Sequence, residues 1–393
     1  MASSFDVCIR GGGIVGRTLA LLLAKERLKV ALVVHDGPDP SAPDSAHCDK
    51  RSDIRAYALN QKSKTLLDSL RCWPDAAHAT PVLTMQVLGD DGGEVIFNAA
   101  DTDSDALAWI VDVPALQTQL AQATQFQPQI QQFNAPQSAL LTVVCEGKAS
   151  QSRAEFGVEF DVMPYTQRAI AARLFCELPH HQAARQWFAH ESILGVLPMG
   201  PLEPLESAAE DVSKTPLGNS VAIVWSAEEA RALALMDLDE ADFAKAVQDA
   251  CHGRFGRMVL STRRTLWPLQ LARTQAWVGR NAGGAWALAG DAAHTVHPLS
   301  GQGLNLGLAD VAQLASLLAG RDYWRSVADE KLLRRYERSR KVDAALLSGA
   351  TDGLQRLFAR TGSNWASLRN LGMNGFERSG PLKNWVTRQA MGR

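Results

Sequence analysis

Gly11-Gly12-Gly13-Ile14-Val15-Gly16 constrains this chain more than any other stretch. It follows directly on an apolar run, Phe5-Asp6-Val7-Cys8-Ile9, that reads as a short strand. Leu19, Leu21, Leu22, Leu23 and Ala24 then make an apolar-rich helix, and Lys29-Val30-Ala31-Leu32-Val33-Val34 reads as a second strand. The order strand, Gly-x-Gly-x-x-Gly, helix, strand predicts two parallel strands with a turn shaped for a dinucleotide. Gly11 suits the tight turn, Gly13 the close approach of a pyrophosphate, and Gly16 the packing of helix on strand. Ile14 and Val15 fill the positions between the last two glycines and count with them as candidate contacts.

A second unit lies almost 300 residues on. Ala287, Leu288 and Ala289 are small and apolar, as in a strand covered on both faces. Gly290 lets backbone approach a ligand, and Asp291 sets one carboxylate at the strand end, suited to a hydroxyl-rich chain. Pro298 stiffens the following loop. Gly301-Gln302-Gly303 opens a helix whose first N–H groups can hold an anion or a polarised carbonyl.

Gly290-Asp291-Ala292-Ala293-His294, His297-Pro298 and Gly301-Gln302-Gly303-Leu304-Asn305-Leu306-Gly307 closely resemble the second flavin motif of the aromatic-ring hydroxylase flavoproteins. Among these the chain looks most like the hydroxylases of ubiquinone biosynthesis. The resemblance implies that Asp291 meets the ribityl chain of FAD and that Pro298 lies beside the isoalloxazine ring. It also implies that the helix start at Gly301 and Gly303 faces the pyrimidine edge. Pro298, Gly301 and Gly303 are therefore the candidate catalytic positions. Gly290, Gln302, Leu304 and Asn305 join the cofactor-binding set.

Other matches and departures follow from the same resemblance. Arg55, in Asp53-Ile54-Arg55-Ala56-Tyr57-Ala58-Leu59-Asn60, matches an arginine near the flavin; read from sequence alone, the segment also suits an amphipathic helix with an exposed arginine. Gln117 fits a Leu-Gln pair that opens a helix, but Pro114 stands where an arginine is expected. Val34 replaces an acidic residue at the end of the second strand, with His35 or Asp36 as substitutes. Arg10 replaces a small or apolar residue, and either reaches a phosphate or snorkels outward. Glu146-Gly147, with Ser152-Arg153 beyond, departs from an Asp-Gly motif by one methylene.

Elsewhere the pattern is coarser. Val82 to Phe97 reads as a hairpin, Ala139 to Cys145 as a central strand, and Gln122 to Gln137 as a polar, low-complexity run. Strand-like runs cover Ala169 to Glu177, Ser192 to Leu197 and Ser220 to Trp225; Asp237 to Ala250 and Leu332 to Leu347 read as helices. The tail from Leu354 carries seven Lys or Arg against Glu377, interleaved with apolar residues. It suits either an anionic membrane surface or helices packed on the body with basic residues outward.

A net charge of −2 gives no general attraction to nucleic acid. The six cysteines form no Cys-x-x-Cys pair, which points to a reducing compartment and no metal cluster. His294-x-x-His297 has ligand spacing but no evident acidic or cysteine partner, so no metal is expected. No secretory leader or membrane span is read, and the expected location is cytoplasmic or peripheral at the inner membrane face.

The expected fold is α/β: a doubly wound, Rossmann-like FAD domain with an inserted mixed-sheet substrate domain and C-terminal helices. The FAD domain takes residues 1–75, 110–155 and 275–345, the substrate domain 76–109 and 156–274, and the helical region 346–393. The resemblance implies hydroxylation of a phenolic, lipid-tailed aromatic ring. FAD is reduced by transient NADH or NADPH and reacts with O2 to a flavin hydroperoxide, which donates the oxygen. Other pathway enzymes are the expected partners. The departures at Arg10, Val34, Pro114 and Glu146 admit a second reading, a non-catalytic paralogue that partners active hydroxylases. A flavin-dependent reductase fits the same fold; a halogenase lacks its Trp-rich motif.

Overall fold

A computed structural model gives the fold. It describes residues 5–34, 54–89, 92–189, 192–201, 219–295 and 301–359, with side chains to 346 in the last segment, and isolated positions between 373 and 391. The first strand, β1 (Phe5–Arg10), leads through the glycine turn into helix α1 (Ile14–Lys25) and then β2 (Val30–Val33). All four β2 residues are buried, as a parallel strand covered on both faces must be. Leu19 and Leu23, one helical turn apart, bury α1 against the sheet.

Four more strands complete this sheet: β3 (Ile130–Phe133), β4 (Ala139–Val144), β5 (Val278–Asn281) and β6 (Gly284–Leu288). The spatial order is β5-β6-β4-β1-β2-β3, with only the β5–β6 pair antiparallel. The chain runs outward from β1 through β2 to β3, then returns to the other side of β1 at β4. The strand order therefore reverses between β1 and β4. In open parallel sheets this is where a crevice forms at the carboxyl ends and ligands bind. Three helices stand out around it: α1, α2 (Val113–Gln125) and α3 (Gly303–Ala319), with α1 packed against both others. A long helix, α4 (Glu330–Ala359), backs α3.

A second, mostly antiparallel sheet has a core of its own, centred on Ile170, Leu174, Trp225, Phe243 and Phe255. Its spine is one 17-residue strand, Phe160–Cys176, which pairs with Ser220–Glu228 and Thr265–Thr274. The register shifts between Pro164 and Arg168, because proline has no N–H for the ladder. The hairpin Thr84–Leu88 and Glu94–Asn98 adds to this sheet through a parallel pairing with Ala183–Ala189. At the other edge His294–Thr295, within the second flavin motif, pairs with Ala272 and Arg273. The site thus lies where the two sheets are joined. A three-stranded sheet, Ala56–Leu59, Ala108–Asp112 and Ala79–Val82, lies between them in sequence.

Several local expectations are corrected. The segment after Arg55 is a strand, Ala56–Leu59, and its helix begins only at Gln61, after Asn60 caps Ser63 N. The polar run 122–137 contains the edge strand β3, whose partner β2 supplies the apolar cover its own sequence lacks. The helix expected over Asp237 to Ala250 is present but starts at Glu240, because Glu229–Asp237 ends first and Asp239 caps the new helix through Asp242 N. In the tail, Glu377 accepts from Ile96 N, Lys383 pairs with Glu377, and Met391 is buried beside Ala99 and Leu107. Those positions pack on the hairpin edge, while Arg378 and Arg388 are exposed; Arg360, Arg369 and Arg393 are outside the described residues. No helix among the described residues is long and apolar enough to cross a membrane.

Candidate functional site: a dinucleotide crevice at the end of β1

The three fingerprint glycines do different work. Gly11 has φ +121°, and a Cβ there would sit 2.4 Å from Cys145 O. At Gly16 a Cβ would lie 2.0 Å from Gly11 O. These two are required by the protein's own packing. Gly13 is not: its φ is −77°, and a Cβ would meet nothing within 4 Å. It is exposed and leaves open space at the first turn of α1, where N–H groups point outward. Arg17 fixes the turn by donating from Nε to Gly12 O (2.7 Å) and from Nη1 to Thr124 of α2 (2.9 Å).

The second motif meets the first at Val15. A Cβ on Gly307 would lie 2.9 Å from Val15 Cγ2 and 3.2 Å from Gly290 Cα. Only glycine lets α1, the end of β6 and α3 approach this closely. Ile14 is buried beneath the same contact. Gly290 has φ +64°, a left-handed turn, and Asp291 follows at the strand end. The Asp291 carboxylate is half-buried and makes no side-chain hydrogen bond among the described residues, with the Arg153 guanidinium as its charge neighbour. It is an acceptor left available for a ligand's hydroxyls.

The Gly290 turn is held from behind by Asp310, a fully buried residue of α3. One of its oxygens accepts from Gly290 N (2.9 Å) and from His294 Nε2 (2.7 Å); the other accepts from Arg340 Nε (2.8 Å). Burial pushes the Asp310 carboxyl up, but His294 and Arg340 outweigh it and hold it below the usual carboxylate value. Tyr336, one turn before Arg340 on α4, donates to Leu288 O (2.8 Å). Arg153, also buried, donates from Nη1 to the Gly147, Asp291 and Ala292 carbonyls and from Nη2 to the Lys148 carbonyl. His294 therefore has an acidic partner after all, Asp310, and serves the turn. No metal-ligand cluster occurs among the described residues.

Helix α3 begins at Gly303, after Gly301 at φ +58°. The N–H groups of Gly303, Leu304 and Asn305 precede the first intrahelical bond and face out of the helix end. Gln302 and Leu304 are half-buried beside them. The side chain of Asn305 is otherwise engaged. It accepts from Asn60 N and Ser63 Oγ and donates to Ala58 O and Gln302 Oε1. Only its backbone N–H remains for a cofactor. These bonds hold strand Ala56–Leu59 along the helix start, and Gly301 lies against Ala58. Arg55, half-buried, enters that strand. Buried Arg173 ties the same place to the second sheet, with a bidentate pair to Asp112 and bonds to Ile54 and Arg55 carbonyls.

Arg10 ends β1 with its side chain largely buried. It does not snorkel, and its guanidinium is held by protein carboxylates: Nε lies 3.2 Å from Glu146, and Nη1 and Nη2 pair with Glu155 at 2.5 and 3.0 Å. Val34 covers Gly12, since a Cβ on Gly12 would lie 2.9 Å from Val34 Cγ2. Pro114 sits in the first turn of α2, where a missing N–H costs nothing. Gln117 is half-buried on the same helix. His35, Asp36, His297 and Pro298 lie outside the described residues. The buried thiols of Cys176 and Cys251 are pushed up to about 12, unsuited to nucleophilic work.

These features fit FAD. An open glycine turn leaves room for a pyrophosphate, a carboxylate without a side-chain hydrogen bond suits ribityl hydroxyls, and a second helix start has N–H groups outside the helix ladder. The comparisons agree. The FAD binding domain family matches residues 115–348. The ubiquinone hydroxylase UbiL of Rhodospirillum rubrum is 31% identical over 98% of this chain and 89% of its own length. The 3-demethoxyubiquinol 3-hydroxylase of Escherichia coli is 27% identical over 98% of each chain. In fold, the chain is similar to p-nitrophenol 4-monooxygenase PnpA of Pseudomonas putida, with a TM-score of 0.71, 17% identity, and 100% and 99% of the two chains covered. It is likewise similar to PqsL of Pseudomonas aeruginosa, a probable FAD-dependent monooxygenase, at 0.70 and 18% over 94% and 99%. With the cradle, the matched domain and the full-length relatives in agreement, the chain belongs to the FAD-binding monooxygenase family that includes the ubiquinone-biosynthesis hydroxylases.

Proposed function

We propose that this protein hydroxylates the aromatic ring of a phenolic ubiquinone precursor carrying a polyprenyl tail, with NADH or NADPH as electron donor. The observation that carries the reading is the Asp291 carboxylate, free of side-chain hydrogen bonds among the described residues, beside the Gly290 turn where α1 and α3 meet. When bound, FAD supplies the electron transfer to oxygen and the activation of that oxygen. The residues orient and enclose it. Gly13 admits the pyrophosphate, Asp291 accepts from the ribityl chain, and the N–H groups of Gly303, Leu304 and Asn305 face the pyrimidine edge. Pro298, Gly301 and Gly303 are the catalytic positions of this reading, which position the reacting ring and exclude water. Arg55 and Gln117 complete the cofactor set. The division into an FAD part (1–75, 110–155, 275–345), a substrate part (76–109, 156–274) and a C-terminal part (346–393) is carried by this same reading. A substrate with a lipid tail favours contact with a membrane surface or with other enzymes of the pathway.

The test is the visible spectrum of the freshly purified protein, followed by FAD titration. Flavin bands or tight uptake are expected, and NAD(P)H oxidation should rise when a phenolic ubiquinone precursor is added. Absence of FAD uptake at high micromolar concentration would overturn the reading in favour of a non-catalytic partner, which the loss of an acid at Val34 favours.

Val34 gives a second expectation. Val34→Glu places a carboxylate where the adenosine ribose can donate to it. One hydrogen bond to a charged group is worth about 1.5–3 kcal/mol, so FAD should bind at least about tenfold more tightly. Titration by flavin fluorescence checks this. Unchanged affinity would mean that the ribose does not lie at the end of β2.

A further inference from the structure

Two of the four departures at the cofactor edge are one structure. Arg10 ends β1, and Glu146 stands two residues past β4, on the adjacent strand across the point where the sheet order reverses. Their backbones are in contact: Cys145 N donates to Arg10 O (2.7 Å), and a Cβ on Gly11 would lie 2.9 Å from Glu146 N. Both side chains are largely buried, 12% and 13% exposed, and Arg10 Nε pairs with Glu146 Oε1. Glu146 also accepts from Ser150 Oγ (2.7 Å), Ser152 N (3.1 Å) and Ser152 Oγ (2.6 Å). It thereby shapes the loop that delivers Arg153 to the Asp291–Ala292 carbonyls. The far side of the same guanidinium holds Glu155, which is half exposed. One cation thus faces two carboxylates beside the turn that receives an anionic pyrophosphate.

We propose that Arg10 and Glu146 are paired positioning residues for FAD: Arg10 neutralises Glu146, and together they set the 146–153 loop that braces Asp291. The proposal rests on FAD occupying the crevice. Removing Arg10 alone leaves two carboxylates near the phosphates. Removing the Glu146 charge alone leaves the buried Arg10 guanidinium to Glu155, and its shift toward that half-exposed end disturbs the loop. Removing both charges keeps the native net charge of this edge, with Glu155 its one uncompensated carboxylate, and glutamine still accepts from Ser150 Oγ and Ser152 N.

The experiment measures FAD affinity by fluorescence in full-length native protein, Arg10→Met, Glu146→Gln and the double variant, with FAD-free melting curves alongside. Native uptake of FAD tests the family reading by itself. The single variants should each bind about tenfold more weakly, and the double variant within about threefold of native, a coupling typical of residues in direct contact. In Arg10→Met the loss should deepen as salt is lowered, because exposed like charges repel more when unscreened. Singles that match native, or a double variant as weak as the product of the singles, would overturn the proposal. Glu155→Gln guards against variants that fail to fold, since it alters only the half-exposed end. It should bind FAD more tightly than native at low salt; equal affinity at every salt concentration would overturn the charge argument.

Discussion

Gly13→Thr should give a protein that folds like the native chain but does not take up FAD. Threonine caps a helix about as well as glycine does. The backbone at Gly13 is extended, φ −77° and ψ −174°, and space around a Cβ is empty. The FAD-free melting temperature should stay within about 2 °C, a change below about 1 kcal/mol for a chain of this size. The branched side chain would instead fill the path of the pyrophosphate. Losing two charge-assisted bonds at about 1.5–3 kcal/mol each weakens binding by at least about 100-fold. Gly16→Ala should do the reverse in kind. Its Cβ would lie 2.0 Å from Gly11 O, so overpacking lowers FAD-free stability by about 1–3 kcal/mol. Native FAD affinity in Gly13→Thr would show that the dinucleotide does not cross this turn.

That contrast marks how far the sequence could be read. Spacing alone identified the glycines at 11, 13 and 16, and at 11 and 16 the reason is packing: a turn that needs φ +121° and a helix pressed on a strand admit almost nothing else. The Gly290-Asp291 turn was legible for a similar reason. What supports it was not. Asp310 lies in an apolar helix with no signature to separate a buried acid from an exposed one, and its partners His294 and Arg340 lie 16 and 30 residues away. Arg10 and Glu146 each read as a fault, since ion pairing across adjacent parallel strands leaves no trace in spacing. Asn305 read as a cofactor contact because it stands in the motif; its side chain in fact joins α3 to residues 58–63. The strand β3 was hidden because its edge position tolerates Gln131 and Gln132 outward.

Asp310→Asn is the second large effect, and it should appear in stability and in FAD uptake together. The carboxylate is fully buried and accepts three hydrogen bonds, one from a buried guanidinium. Replacing it with a neutral amide leaves Arg340 with Asp343 alone, and breaking a buried pair costs about 3–5 kcal/mol. The amide must also choose between accepting from Gly290 N–H and from His294, so the turn carrying Asp291 loses a restraint and FAD binds more weakly. The pH dependence gives a specific check. His294 and Arg340 hold the folded-state carboxyl below its ordinary value despite burial. A depressed carboxyl contributes stability that is fully present above the unfolded value, about 4, and is lost as pH falls through the folded value. The stability gap between native and Asp310→Asn, measured by denaturant titration, should therefore be flat near neutrality and narrow on acidification below pH about 4. A gap that stays constant to the acid end would show that the folded carboxyl is not held down by its neighbours. The network behind Gly290 would then act through shape alone.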